Sequence, residues 1–498
     1  MAGKRCIIPV PRRFLGMLLL GLAAALTLLF LALAPQHGSS AAPGGGYALD
    51  EYRPKYGLIL RLDDDTHTLA VTETIDYTNR TGETLEDIVL QTWLNAFETE
   101  ETSPAALEEI YDACYPEGFS PGYMTLHDVL WNGEARPYEY GNRDRTALKI
   151  HIPSLKDGEA GQITLRFLAH IPHCAYRTGY SGGKYQLGNV IPLLARFQDG
   201  AWQANAYSPV GDPFVSDCAD FDLTLYLPEG MTPACSAKLE QAENGAWRGQ
   251  ILSSRDVAIC LYTDGKLAEG KIGNTEILSY ADTASSARQA LDFARKALQT
   301  FQELYGEYPY PSFSLCQVDF PFGGMEYPAL VMLPASVYQE GKKDSMELVI
   351  AHETAHQWFY ALVGSDQYDQ PWQDEALCEY CTLQYVKKRY GQGSFDALKY
   401  YRAEAPMRES VPGKLTPGSP VDYFGNLTDY STVVYGRGCA MLLALDELTA
   451  GGVNQFLREY VKNFAFGFAA RQDFESALCR HFGMDAGPLM LDYLDTAM

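Results

Sequence analysis

Between about residue 48 and residue 266 apolar side chains fall on every second position, and from about residue 285 they fall on every third and fourth. Leu69, Val71, Ile75 and Tyr77 alternate with polar neighbours, as do Leu148, Ile150 and Ile152, then Ile163, Leu165 and Phe167, and then Phe221, Leu223, Leu225 and Leu227. A strand turns successive side chains to opposite faces, so this spacing predicts half-buried β-strands. Ala287, Leu291, Ala294, Leu298, Phe301 and Tyr305 instead mark one face of a helix. Gly306 and Tyr308-Pro309-Tyr310-Pro311 terminate it. An extended segment is expected over 313–319, a turn at Pro321-Phe322-Gly323-Gly324, and mostly helix beyond about residue 345. The chain is therefore expected to be α+β, with an N-terminal antiparallel β domain over 48–268 and a mostly helical domain over 269–498. No repeat of fixed period runs through it.

A length of 498 residues exceeds one ordinary core and agrees with more than one domain. Residues 14–34, FLGMLLLGLAAALTLLFLALA, carry no charge and are long enough to cross a hydrocarbon core as a helix. Lys4, Arg5, Arg12 and Arg13 lie before this run, which predicts a cytoplasmic basic segment at 1–13 and an extracytoplasmic remainder. The segment is read as one N-terminal transmembrane helix that anchors the chain in a membrane. The alternative is a signal peptide cut after Ala32-Leu33-Ala34, which would leave a secreted protein. Residues 35–47, rich in Gly, Ser, Pro and Ala, read as a linker.

A formal net charge of -24 argues against nucleic acid as a partner, because phosphates reward clustered Lys and Arg. With 47% hydrophobic and 20% charged residues the chain is globular rather than disordered, and the acidity is read as surface solubility.

Chemistry concentrates in one stretch. Residues 345–364, SMELVIAHETAHQWFYALVG, read as a helix containing His352-Glu353-Thr354-Ala355-His356, an H-E-x-x-H pattern. Four residues make slightly more than one turn, so His352 and His356 project from one face and can share a zinc ion. Glu353 is rotated by about 100° and can reach a metal-bound water as general base. Zinc requires a third protein ligand and an open fourth position. Glu375, nineteen residues past His356 on a second helix expected to start near Pro371 and end before Gly391, is the candidate. One Zn2+ per chain is therefore expected at His352, His356 and Glu375.

This arrangement resembles the gluzincin aminopeptidases of the aminopeptidase N family, whose zinc motif is H-E-x-x-H, eighteen residues, then Glu. Two further stretches carry the resemblance. Gly323-Gly324-Met325-Glu326-Tyr327 is similar to the family's Gly-x-Met-Glu-Asn, in which the Glu binds the substrate's free α-amino group. Tyr435-Gly436-Arg437-Gly438 is similar to its Tyr-x-Lys-Gly, in which the Tyr stabilises the oxyanion. The resemblance implies a thermolysin-like catalytic domain and a zinc aminopeptidase acting on peptides with a free N-terminus. Glu353 and Tyr435 would then be catalytic, and Gly323, Gly324, Met325 and Glu326 would bind substrate. Three positions depart from the pattern: Tyr327 replaces Asn, Ala376 replaces Gly, and Ala361 replaces Asn. Only 142 residues follow His356, so the chain is expected to be a short, membrane-anchored member without the large C-terminal helical domain. The other readings are an endopeptidase with an open cleft, and a silent membrane-tethered binding module.

Other motifs are set aside. Gly179-Tyr180-Ser181-Gly182-Gly183 fits G-x-S-x-G but lacks a following helix and is read as a flexible loop. His170, His173 and Cys174 read as strand-end residues, Cys378 and Cys381 as small buried helix residues, and Asp63-Asp64-Asp65 as a turn. Ten of the eleven cysteines follow residue 34, where an oxidising compartment would permit disulfides.

Overall fold

The computed structural model describes residues 47–321 and 323–497. The expected membrane helix at 14–34, the basic segment 1–13 and the linker up to residue 46 lie outside the described residues. Among the described residues no helix is long and apolar enough to cross a membrane.

The alternating stretches form strands as expected. They build an eight-stranded sheet in the order Lys238–Gln241, Trp247–Ser254, Ala219–Tyr226, Lys55–Asp63, Thr68–Thr78, Ala160–His170, Tyr123–Trp131, Glu134–Ala135. One face buries Leu58, Leu60, Leu69, Val71, Ile75, Ile163, Leu165, Leu223 and Leu225. Pairing is antiparallel except between Lys55–Asp63 and Ala219–Tyr226, which run parallel with Tyr56 opposite Phe221 and Leu60 opposite Leu225. The expected all-antiparallel domain is corrected at that pair, because periodicity reports which face is buried and not the direction of the neighbour. Two four-stranded sheets and one two-stranded sheet complete this region.

Thr178–Ser181 and Lys184–Leu187 are antiparallel neighbours in one of them. Gly182 and Gly183 have φ of 55° and 76°, the left-handed conformation of a two-residue hairpin turn. The G-x-S-x-G stretch is thus a hairpin, where a flexible loop was expected. His170 ends a strand, and Asp63 accepts hydrogen bonds from the backbone N–H of Asp65 and Thr66 in a turn.

A second sheet begins at Lys266–Ile272 and continues through Thr275–Ala281, Ser312–Val318 and Leu330–Pro334. Residue 268 falls inside its first strand. The last two pairings are parallel, and Ser312–Val318, the extended segment expected over 313–319, is buried along its whole length as a central strand. Helix α1, Ala284–Tyr305, lies between the second and third strands, and its N-cap Thr283 accepts a hydrogen bond from the Ser286 N–H. It buries Ala287, Ala294, Leu298, Phe301 and Tyr305 of the predicted face together with Ala290, while Leu291 is only partly buried. The rest of the chain is mostly helical.

Helix α2, Lys343–Ala355, stops nine residues before the expected end. The reason lies in the other region. Arg255, 1% exposed, donates to the carbonyls of Tyr360, Leu362, Ser216 and Gly467. Carbonyls that a continuing helix would satisfy internally are captured by this guanidinium, and 356–364 folds into tight turns instead. Helix α3, Trp372–Tyr390, starts after Pro371 and ends at Gly391, as predicted.

Candidate metal centre and active-site cleft

Helices α2 and α3 pack together and bring His352, His356 and Glu375 to one point. Nε2 of His352 lies 3.2 Å from Nε2 of His356 and 3.2 Å from Oε2 of Glu375, and Nε2 of His356 lies 3.4 Å from the same oxygen. Ligands about 2.0–2.1 Å from a tetrahedral zinc are about 3.3 Å apart, so the three atoms have the spacing of one tetrahedral face.

The opposite ring nitrogens fix which atoms face inward. Nδ1 of His356 is 2.6 Å from Oδ1 of Asp374, and Nδ1 of His352 is 3.3 Å from Oε2 of Glu379. Each Nδ1–H donates to a carboxylate, which leaves both Nε2 lone pairs directed at the carboxylate oxygen of Glu375. Three acceptors within van der Waals distance repel unless a cation sits among them. The field has the same sign. Burial works to lower the His352 pKa, yet Glu375 and Glu379 push it up to about 9. Burial would raise Glu375, but the two histidines beside it hold it far below the usual carboxylate range. The donor set fits a divalent metal with one position left open.

These residues lie in a cleft of about 360 Å³ whose walls include Gly323, Gly324, Glu326, Leu348, Val349, Glu353, Glu379, Arg402, Tyr430 and Tyr435. Met325 takes another position: its backbone exchanges hydrogen bonds of 3.0 and 2.8 Å with Met332, which stitches this segment to the edge of the Leu330–Pro334 strand. Gly324 is required where it stands, because a Cβ there would lie 2.1 Å from Oε1 of Glu353. Glu353 is 5% exposed, and burial pushes its carboxyl above the ordinary range. Glu326 is 3% exposed, and its Oε1 has no hydrogen-bond partner among the described residues. A buried carboxylate oxygen without a donor, on a cleft wall, is set for a cationic ligand.

Tyr435 sits in a π-helical turn over Ser431–Arg437 and donates a 2.5 Å hydrogen bond to Oε1 of Glu375. Tyr327, where the related motif has Asn, is fully buried and donates to Oδ1 of Asn189 at 2.6 Å, away from the cleft. A Cβ at Gly188 would lie 2.0 Å from its hydroxyl. Ala376 is buried with its Cβ 2.7 Å from the position a Cβ on Gly438 would take, so the Gly-to-Ala exchange is matched by a glycine across the interface.

Sequence reading missed five charged residues here, Arg402 among them. Asp374 precedes the third candidate ligand, and Glu379 follows it by one turn on the same helix face; that spacing was a usable signal. Arg177 and Asp212 form a buried ion pair of 2.6 Å on the cleft wall and come from irregular segments with no periodic signal. Cys378 and Cys381 are fully buried, the former with Sγ 3.8 Å from the Phe359 carbonyl. The cysteines of the described region are free thiols.

Residues 289–493 match the model of the peptidase family M1 domain. Aminopeptidase N of Lactobacillus delbrueckii subsp. lactis is 25% identical over 402 residues, covering 75% of this chain and 46% of that protein. The chain thus spans about half the length of the curated relatives it matches. An M1 zinc metallopeptidase from Deinococcus radiodurans superposes with a TM-score of 0.61 at 18% identity, covering 91% of this chain and 95% of that one. Native yeast LTA4 hydrolase gives a TM-score of 0.63 at 14% identity, with 90% and 68% covered.

Proposed function

The chain belongs to the M1 peptidase family, the gluzincins of the aminopeptidase N type, and from that premise we propose that it is a zinc-dependent aminopeptidase removing N-terminal residues from peptides. It is a hydrolase with zinc as its cofactor. The observation that carries the finer reading is the partnerless Glu326 oxygen, on the same cleft as the His352, His356 and Glu375 donors.

His352, His356 and Glu375 would hold the metal, with Asp374 and Glu379 orienting the two rings. Zinc bound there supplies a Lewis acid for the scissile carbonyl and acidifies a water. Glu326 receives the substrate's ammonium and fixes which peptide bond lies over the centre. Glu353, next to His352 and lifted by burial toward neutral pH, accepts a proton from the attacking water and returns it to the leaving amine. Tyr435 keeps its proton because burial pushes the phenol well above its usual value, and it donates to the carbonyl oxygen as charge builds there.

The test is a cleavage map. Matched peptides with free and acetylated N-termini are incubated with the purified protein and zinc, and the products are read by mass spectrometry. Stepwise loss of single residues from the free peptides alone is expected. Internal cuts in both sets would replace this reading with an endopeptidase.

For localisation we propose that residues 14–34 anchor the chain with its peptidase region outside the cytoplasm, a reading supported by the uncharged run and the four basic residues before it. Protease added to intact cells should then remove the described region. Protection of that region would contradict it.

A further inference from the structure

Two guanidinium groups line the cleft. Arg177 is closed on Asp212 at 2.6 Å and nearly buried, so that guanidinium is already matched by a carboxylate. The other cation on the cleft wall, Arg402, is in a different state. Its side chain is 44% exposed, and it makes no hydrogen bond among the described residues. Among the described residues its one ion-pair partner is Glu379, whose Oε1 lies 3.6 Å from Nε, outside hydrogen-bond distance. The other oxygen of Glu379 is turned to Nδ1 of His352.

This places Arg402 a single carboxylate away from the metal-ligand histidine, on the side of the centre served by Glu379. Glu326 lies instead beside Glu353 and His356, their carboxylate and ring atoms all within 4.8 Å of one another, whereas Glu379 lies against Arg402 and His352. Leu348, Val349 and Thr382 also line the cleft and carry no charge. Arg402 is held in a π-helical turn, Tyr400–Glu404, packed against the π-helical turn that carries Tyr435. Such insertions are costly in a helix and recur where a side chain must be aimed.

Building on the aminopeptidase reading, we propose that Arg402 binds the C-terminal carboxylate of short peptide substrates, so that di- and tripeptides with a free carboxyl group are preferred. A peptide adds about 3.3–3.6 Å per extended residue. One or two residues beyond the scissile bond therefore bring a carboxylate from the metal centre to a guanidinium that lies just past Glu379. A guanidinium offers a planar fork of donors that matches a carboxylate bidentately and gains less from a neutral amide. A zwitterion then meets the Glu326 carboxylate with its ammonium and the Arg402 guanidinium with its carboxylate, which also sets its direction.

The test compares Leu-Ala-Ala with Leu-Ala-Ala-amide on the zinc-loaded protein, both with free N-termini. The wild-type protein should favour the acid in kcat/KM by about tenfold, the worth of one charge-assisted pair at a half-exposed site, with the difference residing in KM. In Arg402→Met the ratio should fall to near one, and in Arg402→Lys it should be partly kept. Because the ratio is read within each protein, partial unfolding or metal loss scales both rates alike. Calorimetric titration of both peptides into Glu353→Gln gives the same comparison without turnover, and the acid should bind more tightly. Equal rates in the wild type, or an unchanged ratio in Arg402→Met, would overturn the proposal and leave the aminopeptidase reading intact. Cleavage of neither peptide would overturn both.

Discussion

Asp374 Oδ1 lies 2.6 Å from Nδ1 of His356, with both side chains 1% exposed. Gln367 donates to the other oxygen of Asp374, so the carboxylate is held from two sides before it holds the histidine. Losing such a partner typically weakens metal binding by about 10- to 100-fold. Asp374→Asn should therefore release zinc to a competing chelator at correspondingly lower chelator concentration, and excess zinc should restore activity.

Glu353→Gln keeps the size and burial of the side chain but removes the proton acceptor. A fall in kcat of about 10²- to 10⁴-fold is expected, with metal content unchanged by atomic absorption.

Tyr435→Phe removes the donor on the cleft wall together with its bond to Glu375. The expected result is a loss of about 10²- to 10³-fold in kcat with KM little altered, the pattern of an interaction made mainly in the transition state.

Arg255 carries the stability prediction. Truncation in Arg255→Ala leaves carbonyls of Ser216, Tyr360, Leu362 and Gly467 without their shared donor, at about 1–3 kcal/mol for each one that stays buried and unsatisfied. The variant should unfold at distinctly lower denaturant concentration. Because the link joins the β region to the turns after His356, zinc affinity should fall as well.

Glu73 faces the β core, fully buried, with neither carboxylate oxygen hydrogen-bonded among the described residues, and burial alone pushes its carboxyl well above the usual value. A carboxyl whose folded pKa is raised favours the folded state below its unfolded pKa, and that contribution is lost as pH rises through the folded one. Glu73→Gln should therefore flatten the decline in stability from about pH 4.3 upward. The slope of thermal unfolding against pH, compared with the parent protein, reads this directly.

Much of this site could be read before any coordinates, because a helix converts spacing into direction. His352, His356 and the turn after His356 leave few places for a third ligand, and Glu375 occupies one. Strand position was equally legible wherever one face meets water, as in Leu69 to Tyr77. The extended segment expected over 313–319 is the strand Ser312–Val318, whereas helix length failed where a distant side chain takes over backbone bonding, as Arg255 does beyond His356. Asp374 and Glu379 were visible in spacing but not in meaning, since a carboxylate beside a ligand looks like any first-turn acid. Arg402 had no signal, because its role depends on which neighbours fail to pair with it.

The most direct measurement of the central claim is a zinc titration of the metal-stripped protein, followed by hydrolysis of an aminoacyl-arylamide and its N-acetylated form. Activity on the free amine that rises from zero and saturates at one zinc per chain, with the acetylated form left uncut, is the predicted result. Activity in the metal-free protein, or equal cleavage of the acetylated substrate, would contradict it.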